Sequence, residues 1–127
     1  MQVTIRTAEH SVAVVLDDTA VARDFATLLP LKLELSDYGK VEKIADLPRS
    51  LDVAAEPAGY SPAAGDVAFY APWGNLAIFL HKFRYSEGLV RLGWIGTGLD
   101  VLAAPGALAV TIEATNVASP TIKGSQT

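Results

Sequence analysis

The chain has no cysteine, and that one absence excludes disulfides, zinc–thiolate sites, iron–sulfur clusters and thiol nucleophiles together. It also leaves the redox state of the compartment unreadable. Histidine is nearly as scarce. His10 and His81 stand far apart and form neither an H-x-x-x-H nor an H-x-H spacing, so no transition-metal site is expected. Positive charge is thin as well: Lys and Arg are scattered singly, and the formal net charge is −4. Such a chain has no electrostatic footprint for a polyanion, and nucleic acid is not expected as a partner. No apolar run approaches the roughly 20 residues of a membrane-spanning helix, so no membrane association is expected. The opening "MQVTIRTAEH" has no charged segment followed by an apolar run, so no signal peptide is read and a cytoplasmic location is expected. G-x-S-x-G, G-x-G-x-x-G and G-x-x-x-x-G-K-[ST] are all missing, which removes the usual support for acyl hydrolysis, dinucleotides and nucleoside triphosphates. No cofactor is expected.

What the chain does have is alternation. With 127 residues, half of them apolar, it is the size of one domain with a single core. "QVTIRT" and "SVAVVL" place Val3, Ile5, Val12, Val14 and Leu16 at alternate positions, the mark of strands, and their short connection reads as an opening hairpin. "DDTAVARDFATLLP" changes period. Val21, Phe25, Leu28 and Leu29 fall on one stripe of a helix over residues about 19–29, with Asp18 or Thr19 at its cap and Pro30 at its stop. "LKLELS" is again a strand. Residues 37–64 have weak periodicity and read as a long excursion over an open end of the core, with one helical turn in "VEKIADLP".

Beyond that excursion, "GDVAFYAP" and "NLAIFLHKF" read as two strands joined by Pro72-Trp73-Gly74, the second apolar on both faces and so central. "GLVRLGWIG" is a strand whose Gly93 marks a bulge or a close backbone approach. "GLDVLAAP" allows one helical turn, and "ALAVTIEAT" closes the set. The expected fold is mainly β: a closed antiparallel barrel of about eight strands with one main helix, a sandwich being the competitor. The domain is placed at residues 1–115, with 116–127 as a polar C-terminal tail.

"LVRLGWIGTGLDVL" resembles the segment with which cyclophilins, the barrel-fold peptidyl-prolyl isomerases, end: V-V-F-G-K-V-x-x-G-x-D-V-V before a last I-x-I strand. Val90, Leu92, Gly93, Ile95, Gly98, Asp100, Val101 and Leu102 follow that order, and Val110 and Ile112 supply the closing strand. "GDVAFYAPWGNLAIFL" is similar to the cyclophilin hairpin that leads into a G-S-Q-F-F-I strand. The closer similarity, from about residue 2 to 114, is to small bacterial and archaeal cyclophilin-like proteins. The resemblance implies a cyclophilin-like barrel but not the isomerase site. "LELSDYGKVEK" holds no Phe-His-Arg, the segment that supplies the cyclophilin arginine. The Gln and Phe of G-S-Q-F-F-I fall on Leu76, Ala77 or Ile78, while Tyr85 keeps an aromatic with a hydroxyl where the pocket tryptophan stands.

Phe69, Phe79 and Trp94 alternate into strands and are expected in the core. Tyr70, Trp73, Phe83 and Tyr85 sit at strand ends or in loops, where a ring can face a ligand; Tyr38 and Tyr60 can lean over the same opening. Arg84 and Arg91 are the candidate guanidinium donors. Asp17 and Asp18 are read as helix caps and Asp66 as a turn former. The binding candidates are therefore Tyr70, Trp73, Phe83, Arg84, Tyr85 and Arg91. The expected function is binding of a peptide or small molecule without the isomerase residues, the alternative a weak prolyl isomerase with a different donor. The sequence leaves homo-oligomerisation open.

Overall fold

A computed structural model of the protein describes residues 1–115; the polar segment 116–127 lies outside them. The opening hairpin pairs β1 (Gln2–Arg6) with β2 (Ser11–Leu16), matching Val3 to Val14 and Ile5 to Val12 so that four β-branched side chains enter the core together. The helix α1 (Ala20–Ala26) follows, and its cap is Thr19, whose Oγ1 accepts from the Ala22 N–H at 3.2 Å. Asp17 and Asp18 do not cap. Asp18 pairs with Arg23 and Asp17 with Arg91, because Thr19 already supplies the oxygen that the first turn needs. The α-helix ends at Ala26, short of the expected reach to 29, and Leu28 and Leu29 continue as turns that still pack on the core.

Next come β3 (Leu31–Tyr38) and β4 (Glu42–Asp46), where the sequence reading expected a helical turn. β5 (Gly59–Tyr60) precedes the hairpin of β6 (Asp66–Tyr70) and β7 (Asn75–Phe79). Every residue of β7 is buried, as a central strand covered on both faces requires. The chain then runs through β8 (Ser86–Glu87), β9 (Leu89–Trp94), the one-turn helix α2 (Leu99–Leu102) and β10 (Leu108–Ala114).

Eight of these strands close a barrel in the order β1-β10-β3-β4-β7-β6-β9-β2, and β5 pairs with β8 as a separate ribbon. All eight neighbours in the barrel are antiparallel. The interior is aliphatic apart from Phe25 and Phe69. One end is closed by α1 and by the loop after β4, whose Leu47 and Leu51 join the core. Arg49 holds that loop to the helix through both carboxylate oxygens of Asp24, at 2.8 and 3.1 Å. The other end is closed by Lys43, whose side chain is fully buried. Its ammonium donates to the carbonyls of Ala104 and Gly106 at 2.6 and 2.7 Å and lies 2.7 Å from Asp37 Oδ1, which uses its three donors.

The bulge expected at Gly93 is present. Gly93 pairs with Val67 while Arg91 pairs with Ala68, so Leu92 has no partner on β6. At Gly93 a side chain would run into the Val15 carbonyl, which is why the position has none. The slip also reverses the next side chain. Trp94 faces outward at 41% exposure, although alternation from Val90 and Leu92 had placed it in the core.

Candidate functional site

A second apolar cluster lies outside the barrel, on the wall made by β4, β7, β6 and β9. It consists of Ala68, Ala77, Phe79 and Leu89, with Val41, Ile44, Tyr60, Tyr70 and Phe83 packed against it. Strand alternation explains it: Leu76 and Ile78 of β7 point inward, so Asn75, Ala77 and Phe79 point out. Ala68 and Ala77 are register partners. Both are fully buried beneath the larger side chains of the wall.

The resulting groove has a volume of about 210 Å³ and is lined by Tyr38, Glu42, Ile44, Tyr70, Trp73, Asn75, Phe79, Phe83, Arg84, Ser86 and Leu89. Small-molecule sites run to roughly 300–1,000 Å³, so this one has room for a single side chain or a small molecule's head. Trp73 sits in the turn between β6 and β7, where Gly74 takes a positive φ of 68° and both residues donate back to the Tyr70 carbonyl. Its indole is 56% exposed and stands between two tyrosines. The centroids of Tyr38 and Tyr70 are each 5.5 Å from it, with ring planes at 81° and 79°. The opposite wall is Phe83, stacked on Phe79 at 6.3 Å, with the Arg84 guanidinium 4.5 Å from its centroid. The β5–β8 ribbon fixes this wall, since Phe83 N donates to the Pro62 carbonyl at 3.0 Å and Gly88 N to that of Ala58 at 2.7 Å.

Two polar groups of the groove have no partner among the described residues. Asn75 is 3% exposed, and its Oδ1 is shut from solvent without a hydrogen bond. An unmatched buried group of this kind costs about 1–3 kcal/mol. Glu42, half-buried beside Phe79 in the register, makes no ion pair or side-chain hydrogen bond among the described residues. Burial alone pushes its carboxyl above the usual glutamate value.

Of the six residues singled out from sequence, Tyr70, Trp73, Phe83 and Arg84 meet in this groove. Tyr85 and Arg91 do not line it. Tyr85 is exposed, turned from the groove while its neighbours Arg84 and Ser86 line it. Arg91 borders a separate cavity with Asp17, Thr19, Glu56 and Tyr60. Its Nη2 donates to Asp17 Oδ1 at 3.1 Å; its Nε lies 2.9 Å from Oδ2 without hydrogen-bond alignment, and Nη1 is 3.9 Å from Asp66. Tyr60 belongs to the same network. Its hydroxyl donates to Asp66 Oδ2 at 3.2 Å, and burial followed by the charge of Asp66 raises its pKa strongly. Asp66 also accepts from the Ala63 N–H at 3.0 Å, the turn role expected of it.

Glu42 and Asn75 were missed. Reading "VEKIAD" as a strand would have put Glu42 and Ile44 on one face, and Asn75 opens a strand whose alternate residues share that face. The segment match had assigned the cyclophilin Gln and Phe positions to Leu76, Ala77 or Ile78. In the fold, an amide and an aromatic ring do stand on the outer face of β7, as Asn75 and Phe79. Among the described residues no group of three or more His, Cys, Asp or Glu is placed to hold a metal ion. No helix among them is long and apolar enough to cross a membrane.

The profile of the Cyclophilin-like family matches residues 5–113. The chain belongs to that family. The same barrel occurs in the solution structure of a hypothetical protein from Archaeoglobus fulgidus, with a TM-score of 0.71 and 20% sequence identity. That alignment covers 91% of this chain and 95% of the archaeal one, and at this identity it shows the fold alone. A search of curated proteins gives no match. For this member of the Cyclophilin-like family, then, the arrangement of its own side chains must carry any statement about activity.

Proposed function

We propose that the chain is a binding domain that takes a peptide or small molecule in the aromatic groove on the outer wall of its barrel. The observation that carries this reading is convergence. Tyr38, Tyr70, Trp73, Phe79 and Phe83 come from separate segments onto one concave surface that also holds the buried Asn75, whose Oδ1 accepts no hydrogen bond among the described residues. A surface with only a structural task has no reason to leave an exposed indole beside an orphaned amide. The chain has two tryptophans, and Trp94 stands away from the groove as an internal reference. In ¹H–¹⁵N spectra recorded against a pool of short peptides, the Trp73 indole signal is expected to move and that of Trp94 to stay. Movement at Trp94 or Arg91 without Trp73 would remove the groove as the site.

A second reading is a weak prolyl isomerase, favoured by the Arg84 guanidinium over an apolar ring in the groove. Arg91, the other candidate donor, is held by Asp17 beside a different cavity. Rotation about X–Pro faces a barrier of roughly 18–20 kcal/mol, and a guanidinium lowers it only if it bonds the transition state better than the ground state. A protease-coupled assay on an X–Pro peptide decides this. A rate that is lost in Arg84→Ala supports it, and no rate above background at micromolar protein removes it.

A further inference from the structure

The charged side chains around the barrel fall into two kinds. Lys43 is matched by two carbonyls and a carboxylate, and Arg91 by Asp17. Glu42 makes no ion pair or side-chain hydrogen bond among the described residues. Its neighbour Lys43 points into the barrel and pairs with Asp37, and neither Lys40 nor the groove's Arg84 makes an ion pair with it. Arg84 is exposed and lies over the Phe83 ring.

We propose that the groove binds an alkylammonium group bearing at least one N–H, as on a lysine side chain or a free amine, with Glu42 as counter-ion and Tyr38, Tyr70 and Trp73 as walls. The proposal rests on the groove being a binding site and names the chemistry it selects. Three rings set at steep angles present π faces in more than one direction, the arrangement that attracts a cation. Glu42 favours a cation, since Arg84, the other charge lining the groove, is exposed and lies on the Phe83 ring. An anion would add repulsion to a carboxylate that already lacks a partner, and a neutral occupant would strip its remaining water without replacing it. Burial raises the Glu42 carboxyl, a shift that a bound cation reverses. Asn75 supplies a polar contact at the wall, and because its amide can turn about χ2 it accepts from an N–H as readily as it donates. A volume of about 210 Å³ suits one such group and its methylene stem.

The test is an NMR titration of the full chain with n-butylammonium, N-acetyl-lysine methylamide, tetramethylammonium, n-butanol and butyrate, reading the two indole signals. Butylammonium or the lysine amide is expected to move Trp73 and leave Trp94, with an affinity about tenfold above that of butanol, butyrate or tetramethylammonium. Binding of both amines indicates that a free amine suffices, and binding of the lysine amide alone indicates a peptide; either supports the proposal. Glu42→Gln is expected to weaken butylammonium about tenfold. The ranking of probes on the wild type is independent of how that variant folds. Preference for butyrate or butanol, equal binding of tetramethylammonium, or an unchanged affinity in Glu42→Gln overturns the inference while leaving the groove as a site. If neither these probes nor the peptide pool moves Trp73, both readings fall.

Discussion

Lys43 and Glu42 are consecutive on β4, and strand alternation sends one into the barrel and the other onto the groove. Inside, the ammonium is wholly buried, and acceptors from β3 and from the loop after α2 surround it. Outside, Glu42 is half-buried, lines the groove with the aromatic rings and makes no ion pair among the described residues. The pair shows how to separate a structural charge from one held open for something else. A buried charge that serves the fold has its bonds filled by the fold, since leaving them unfilled costs too much. A half-buried charge without an ion pair, on the same groove as an orphaned amide oxygen, marks a surface that a partner can complete.

The comparison breaks most visibly at Lys43. Lys43→Ala strands two carbonyls and empties the stem's space, and should cost about 3–5 kcal/mol in chemical denaturation. A loss near zero would mean that the network does not hold the barrel end. The opposite end has its own charged clamp, Arg49 on Asp24, which sharpens the same contrast through pH. The hydrogen bonds from Arg49 and from the Asp52 N–H hold the Asp24 carboxyl at about 2, against an ordinary 3.8. Asp37 is lowered for the same kind of reason, by Lys43 first and then by the Gly106 N–H. A depressed carboxyl contributes stability that is complete above its unfolded value and is lost as pH falls through the folded one. The melting temperature should therefore drop as pH falls from about 3.8 toward 2, and Arg49→Ala should start lower at neutral pH and drop less over that window.

Glu42 has the opposite sign, and the smallest effect. Its folded carboxyl is raised, so its ionised form weakens the fold once pH passes above the ordinary value of 4.5. Glu42→Gln should melt at or slightly above the wild type at pH 7, with the difference closing below that value.

Much of the barrel was legible because its strands alternate cleanly. β1, β2, β3 and β10 each place aliphatic residues at every second position, and the stripe of α1 gave the helix. β4 was not legible, and Lys43 is the reason. A charge at an inward position erases the alternation, and the groups that satisfy it lie some 60 residues further along the chain. Trp94 went astray through the bulge at Leu92 and Gly93, which reverses its face in a way that periodicity cannot register. Within the groove, aromatics at the ends of the β6–β7 hairpin were visible by type. Glu42 and Asn75 were not, since a lone Glu or Asn reads as solvated surface until a fold shows that nothing answers it. Tyr85 sits between Arg84 and Ser86, and those neighbours line the groove in its place.

The central claim is that Glu42 belongs to a site and Lys43 to the fold, and one thermal-shift experiment at pH 7 tests it on the wild type and Glu42→Gln with and without n-butylammonium. A ligand that binds only the folded chain stabilises it by RT ln(1 + [L]/Kd), and so raises its melting temperature. The account predicts that Glu42→Gln alone melts at or above the wild type, and that the amine raises the melting temperature of the wild type clearly more than that of the variant. A variant that melts well below the wild type, or rises equally with the amine, would contradict it.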